Sequence, residues 1–149
     1  MFKKLLALLV LNACLSTLGC NYIAPIGPII QLGIMWYEGE AQKYYATPQE
    51  KLHVAVKQVL NELTLPIIEE RVDGETIYIQ AGDDDKFKIK ITSVRENVSK
   101  LSIRVNLMGD KPYAELIYRH VDKMPNVEQF ASLAELNTAV EKQPRRFRR

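Results

Sequence analysis

The chain has 149 residues, 47% hydrophobic and 26% charged, with 20 Lys and Arg against 18 Asp and Glu. That fits one globular domain and excludes a multidomain assembly. With 7 Gly, 7 Pro and no long polar run, it also excludes a mainly disordered or collagen-like chain.

In chain order, residues 1–19 read as an export signal. Lys3 and Lys4 precede an apolar stretch from Leu5 to Leu11, then small and polar residues up to Cys20. A spanning helix needs about 20 apolar residues, and this run meets Asn12, Ser16 and Thr17, with Pro25 and Pro28 beyond. Leu15-Ser16-Thr17-Leu18-Gly19-Cys20 resembles the lipobox of bacterial lipoproteins, with Thr17 where leucine is usual. The resemblance implies that Cys20 is acylated and becomes the first mature residue. Leu11-Asn12-Ala13-Cys14 is a competing site with a shorter apolar core. The bland alternative is a signal cut by another peptidase, with two ordinary or disulfide-bonded cysteines. Acylation at Cys20 removes Cys14 with the signal and leaves no free thiol. Several acyl chains anchor a protein to a membrane without spanning it. By resemblance to lipoprotein sorting, Asn21 after the cysteine implies an outer-membrane address in the bacterial envelope, facing the periplasm.

Residues 20–35, with two prolines and two glycines among apolar residues, read as a tether. A single α+β domain is expected over 36–141. Trp36 to Ala46 suits a strand. Thr47-Pro48-Gln49-Glu50 forms a capping-box pattern ahead of a helix whose apolar stripe is Leu52, Ala55, Val56, Val59, Leu60 and Leu63. Leu65 to Val72 leads through Asp73-Gly74, a hairpin signal, into Glu75 to Ala81. After the polar turn Gly82 to Asp85, Phe87, Ile89 and Ile91 alternate with lysines. Ser99 to Leu107 repeats the pattern with Leu101, Ile103, Val105 and Leu107. A helix follows to about Met124, with Tyr113, Leu116, Ile117, Val121 and Met124 as its stripe. Pro125-Asn126 breaks it, and a last helix runs from Val127 to about Glu141 with Phe130, Leu133, Ala134 and Val140 inward. The expected fold is two-layer α+β: strand, helix, four strands, helix, helix, with an antiparallel sheet and helices on one face.

Tyr37-Glu38-Gly39-Glu40, the aromatics Tyr44 and Tyr45, and Arg104-Val105-Asn106-Leu107-Met108-Gly109-Asp110, together with the export cysteine, resemble a family of short bacterial lipoproteins, domain of unknown function 3568. The resemblance runs from about residue 18 to 124. The family pattern has a glycine where this chain has Asn106, and Glu128 to Arg149 have no counterpart. No activity comes with the resemblance.

Candidates for chemistry are few. His53 and His120 read as packing or surface residues on helices, and neither makes a zinc-type spacing. Asp83, Asp84 and Asp85 lack the alternation of a calcium loop and read as a solvated turn. No phosphate loop, nucleophile elbow, cofactor or metal motif can be placed. Residues 20–141 hold 13 basic and 18 acidic side chains, whereas Lys142, Arg145, Arg146, Arg148 and Arg149 follow with no acid. That tail, with Phe147, suits anionic lipid or an acidic envelope protein, or is simply a solubilising end. Nucleic acid is not expected for an exported chain. Trp36 and Tyr37 are candidate membrane or partner contacts, against a core reading for half of the strand aromatics. Tyr44 and Tyr45 should point to opposite faces.

The functional expectation is a non-catalytic, lipid-anchored interaction or scaffolding module, meeting its partner through the sheet's polar face or the aromatic strand. The alternative is a carrier of lipid or another apolar ligand between sheet and helices, since helix-grip folds have a broadly similar element order. A hydrolase with an unrecognised site is the third class.

Overall fold

The computed structural model describes residues 33–142. The export signal, Cys20, the tether up to residue 32 and the tail residues Arg145, Arg146, Phe147, Arg148 and Arg149 lie outside the described residues.

Alternation builds the sheet. Ile77, Ile79 and Ala81, then Phe87, Ile89 and Ile91, then Leu101, Ile103 and Val105 are all buried, with polar side chains between them. These stretches belong to a six-stranded antiparallel sheet of β1 (Met35–Tyr37), β2 (Glu40–Tyr45), β3 (Ile67–Asp73), β4 (Thr76–Ala81), β5 (Phe87–Arg95) and β6 (Val98–Val105). The strand order is β1-β2-β6-β5-β4-β3. Helix α1 (Gln49–Glu62) carries the chain from β2 to the far edge, and β3 to β6 return as hairpins until β6 pairs with β2. Ala41 thereby stands opposite Ile103, and Tyr45 opposite Ser99.

Helices α1 and α2 (Lys111–Val121) pack on this sheet and on each other. Leu52, Ala55, Val56, Val59 and Leu60 of α1 join Ala114, Ile117, Tyr118 and Val121 of α2 in one apolar core. Burying a side chain such as Leu52 or Ile89 contributes about 1.5–3 kcal/mol. The third helix, α3 (Leu133–Lys142), contacts β5, and Arg95 Nε donates to the Val140 carbonyl at 2.9 Å. The α+β class, the antiparallel sheet and the three helices agree with the expectation.

Several local expectations are corrected. The stretch from Trp36 to Ala46 is a hairpin rather than one strand. Tyr37 pairs with Glu40 across Glu38 and Gly39, which have φ of 48° and 78°; two successive positive φ values suit the right-handed twist of a two-residue hairpin. The β3–β4 loop is Gly74-Glu75, because Asp73 already pairs with Thr76.

The capping box at Thr47 does not form. The Thr47 hydroxyl bonds to the backbone of Glu128, donating to its carbonyl at 3.2 Å and accepting from its N–H at 2.8 Å. A variant of the capping box forms instead at Ser132, whose Oγ accepts from Glu135 N–H while Glu135 Oε2 accepts from the N–H of Ala131, one residue before the cap. This second Ser-x-x-Glu starts α3 at Leu133, six residues later than expected. Leu136 is its fully buried residue, whereas Leu133 and Ala134 are exposed. Leu107, expected inward, is 88% exposed, because β6 ends at Val105.

Candidate functional site

The two segments that carry the sequence resemblance meet at one end of the sheet. Gly39 in the β1–β2 turn lies directly against Gly109 in the β6–α2 loop. A Cβ on Gly109, at φ 79°, would overlap the Gly39 carbonyl oxygen, and one on Gly39 would press on the Met108 carbonyl at 3.2 Å. Both positions therefore need glycine for contact as well as for conformation. Asn106 opens the loop at φ 58°. This left-handed conformation suits glycine and is tolerated by asparagine.

Side chains complete the frame. Arg104 Nη2 donates to the Glu38 carbonyl at 2.8 Å and lies 3.6 Å from Glu40 Oε1. Lys90 Nζ reaches the same Glu40 oxygen at 2.7 Å, so Glu40 ties β5 and β6 to β2 on the polar sheet face. Asp110 caps α2 by accepting from Tyr113 N–H, and Asn106 N–H donates to the Lys86 carbonyl at 2.7 Å. Arg104, Glu40, Lys90 and Asp110 thus help to hold the loop and its neighbouring turn.

Apolar groups project from that frame. Leu107 and Met108 are each 88% exposed, with Tyr37 at 63% and Tyr113 at 55%. Trp36 faces the other way. It packs against the core, with Lys111 Nζ 5.2 Å from its ring centroid, a cation–π distance. Of the two aromatic candidates, Tyr37 is the outward one. Tyr44 and Tyr45 divide as expected: Tyr45 is buried among the helices and Tyr44 is half-buried on the other face. The tail candidates do not share this corner at their point of departure. The helix leading to them touches Arg95 beside the β5–β6 turn, at the opposite end of the sheet.

At that opposite end, Lys43 donates to both Asp122 oxygens at 2.7 Å and to Gln129 Oε1 at 2.9 Å. Tyr45 donates to Asp122 at 2.8 Å. Burial, and then the Asp122 charge, push the Tyr45 hydroxyl far above the usual tyrosine range, so it remains a donor. Tyr118 is likewise held neutral, chiefly by burial, and contacts the Ala41 and Leu101 carbonyls at 2.8 Å. Sequence periodicity could not find this cluster, since a lysine on the inward face of β2 has no local signal.

Both histidines stand beside a carboxylate. His53 Nε2 is 3.1 Å from Glu70 Oε1 but off the line of a hydrogen bond, and Lys57 bonds the other Glu70 oxygen at 2.9 Å. The Lys57 hydrogen bond is the main cause that holds Glu70 below the usual carboxylate range. His120 Nδ1 lies 4.0 Å from Glu62. These contacts strap α1 to the edge strand β3 and to α2. Asp83–Asp85 form a short turn with Asp84 at φ 59°, and no group of three or more potential metal ligands occurs among the described residues. No described helix is long and apolar enough to cross a membrane. A depression of about 100 Å³ on the polar sheet face is lined by Glu69, Arg71, Tyr78, Lys88 and Lys90, among others.

The model of a family described as a protein of unknown function, DUF3568, matches residues 3–124. The match begins within the signal-like segment, earlier than the start near residue 18 read from the sequence. No curated protein matches the chain.

Proposed function

The chain belongs to the DUF3568 family, and from that premise we propose that it is a non-catalytic, lipid-anchored protein of the bacterial envelope whose domain serves as an interaction module. Cys20 is the acylated residue, the outer membrane its address, and another envelope protein or the lipid surface its partner. The observation that carries this reading is the corner at Gly39 and Gly109. Two segments far apart in sequence are locked together by backbone contact, and the result displays Tyr37, Leu107, Met108 and Tyr113 to solvent. Rigid display of apolar groups suits binding.

The interior bears on the carrier alternative. Tyr45, Leu52, Leu60, Ile79, Ile89, Leu101, Ile103 and Tyr118, all fully buried, pack together under α1 and α2, whereas a carrier needs a pocket of several hundred Å³. The histidine–carboxylate contacts join secondary elements, which favours structural roles for them over acid–base chemistry.

Intact-mass analysis of protein from native membranes, with Cys20→Ala and Cys14→Ala variants, tests the proposal. The expected result is an acylated chain beginning at residue 20, lost only in Cys20→Ala. An unmodified mature chain in the soluble fraction would overturn it.

A further inference from the structure

We propose that the Leu107-Met108 tip, flanked by Tyr37 and Tyr113, inserts into the apolar boundary of the bilayer that holds the acylated N-terminus. The inference rests on the lipid-anchor reading above and names the lipid itself as the partner of this corner.

Single exposed apolar side chains are ordinary on protein surfaces. Here two large ones are adjacent, each 88% exposed, on a loop whose backbone is fixed by the Gly39 contact, by Arg104 on the Glu38 carbonyl and by Asn106 on Lys86. Tyrosines beside them, apolar in body and polar at the tip, suit the head-group level. Arg104 and Lys90 meet Glu40, and Asp110 caps a helix, so these groups keep their partners when the tip enters lipid.

The length of chain beyond the described residues puts the lipid within reach of this corner. Strand β1 starts at Met35 and reaches the Glu38-Gly39 turn after three residues, about 10 Å. Residues 21–32 separate Cys20 from Gly33, and fully extended they span about 40 Å. An acylated Cys20 therefore keeps the domain within about 40 Å of the bilayer, and a tether of that kind raises the local concentration enough for weak insertion by this corner to be populated.

The test uses the full acylated chain in phosphatidylcholine vesicles, with an NBD fluorophore at Met108→Cys or, as the control, at Val72→Cys on the exposed far edge of the sheet. Both sites are solvent-exposed, so folding is not at stake. At Met108→Cys the emission should shift to the blue, and reduction by aqueous dithionite should slow at least tenfold relative to Val72→Cys. Adding Leu107→Ser should abolish most of that protection.

Equal dithionite rates at the two sites, on protein whose mass shows acylated Cys20, would overturn tip insertion and leave the anchor standing. Protection that disappears in high salt would assign the contact to charge and overturn apolar insertion. Absence of acylation, with protein off the vesicles, would overturn both readings.

Discussion

The two ends of the sheet solve opposite problems. Near the C-terminus of α2, buried Lys43 and Tyr45 are satisfied by half-buried Asp122, with Gln129 as a second acceptor for Lys43. At the Gly39–Gly109 corner, apolar side chains are left in water while the backbone beneath them is fixed. The first arrangement fastens residues 122–129 onto β2 and serves the fold. The second costs burial that the chain could have had, and holds a surface in place. Exposure of Leu107 and Met108 is therefore not a sign of a loose loop.

The comparison breaks most clearly if the clamp proves dispensable. Asp122→Ala leaves Lys43, whose side chain is 10% exposed, without its counter-charge and Tyr45 without its acceptor. A loss of about 2–3 kcal/mol is expected in urea unfolding. Lys43→Met combined with Asp122→Leu should recover the part that comes from unpaired Lys43, because an apolar pair needs no mutual solvation, while the Tyr45 hydroxyl stays without its acceptor. Equal losses in the single and double variants would show that the ion pair is not what fastens this end.

At the other end, Gly109→Ala should cost about 1–2 kcal/mol, since the added methyl meets the Gly39 backbone at a left-handed φ. Asn106→Gly, which removes the Cβ at φ 58°, should be neutral or gain about 0.5 kcal/mol. Thermal unfolding of both variants measures the frame separately from the displayed side chains. A stable Gly109→Ala protein would mean that the two turns can separate.

The smallest effect concerns the strap between α1 and β3. Glu70 is held below its ordinary range, first by Lys57, so its folded form binds protons less readily than the unfolded chain. Its stabilisation is present above the unfolded carboxylate pKa and fades as pH falls through the lower folded one. The difference in urea midpoint between the parent and Glu70→Gln should correspond to about 0.5 kcal/mol near neutral pH and vanish in acid. A difference that grows in acid would reverse the assigned sign.

Much of the fold could be read before the structure because its signals are local. Alternation in Phe87, Ile89 and Ile91 and the helical stripe from Leu52 to Leu60 report which face is buried, whatever the partner. The hairpin within Trp36 to Ala46 is not legible in the sequence because its turn is Glu-Gly, a weaker signal than Asn-Gly or Asp-Gly. The start of α3 departs from expectation although Ser132-Leu133-Ala134-Glu135 carries a capping pattern, because Glu128 and Gln129 are held by Thr47 and Lys43, contacts that no local pattern reports. Of the site, Tyr37 was legible as an exposed aromatic, while Leu107 was assigned to the core by extending the β6 alternation past the end of the strand.

What the amino-acid order determines by itself is period: strand or helix, inward or outward, α+β with antiparallel hairpins. Partnership was decided by tertiary structure. Only the α1 crossover brings β6 beside β2, and only that juxtaposition seats Gly109 on Gly39, draws Thr47 away from its helix cap to Glu128, and places Asp122 on Lys43. Those contacts join residues more than 60 positions apart. Periodicity acts over a few residues and carries no information about them, whereas sheet order acts across the whole domain.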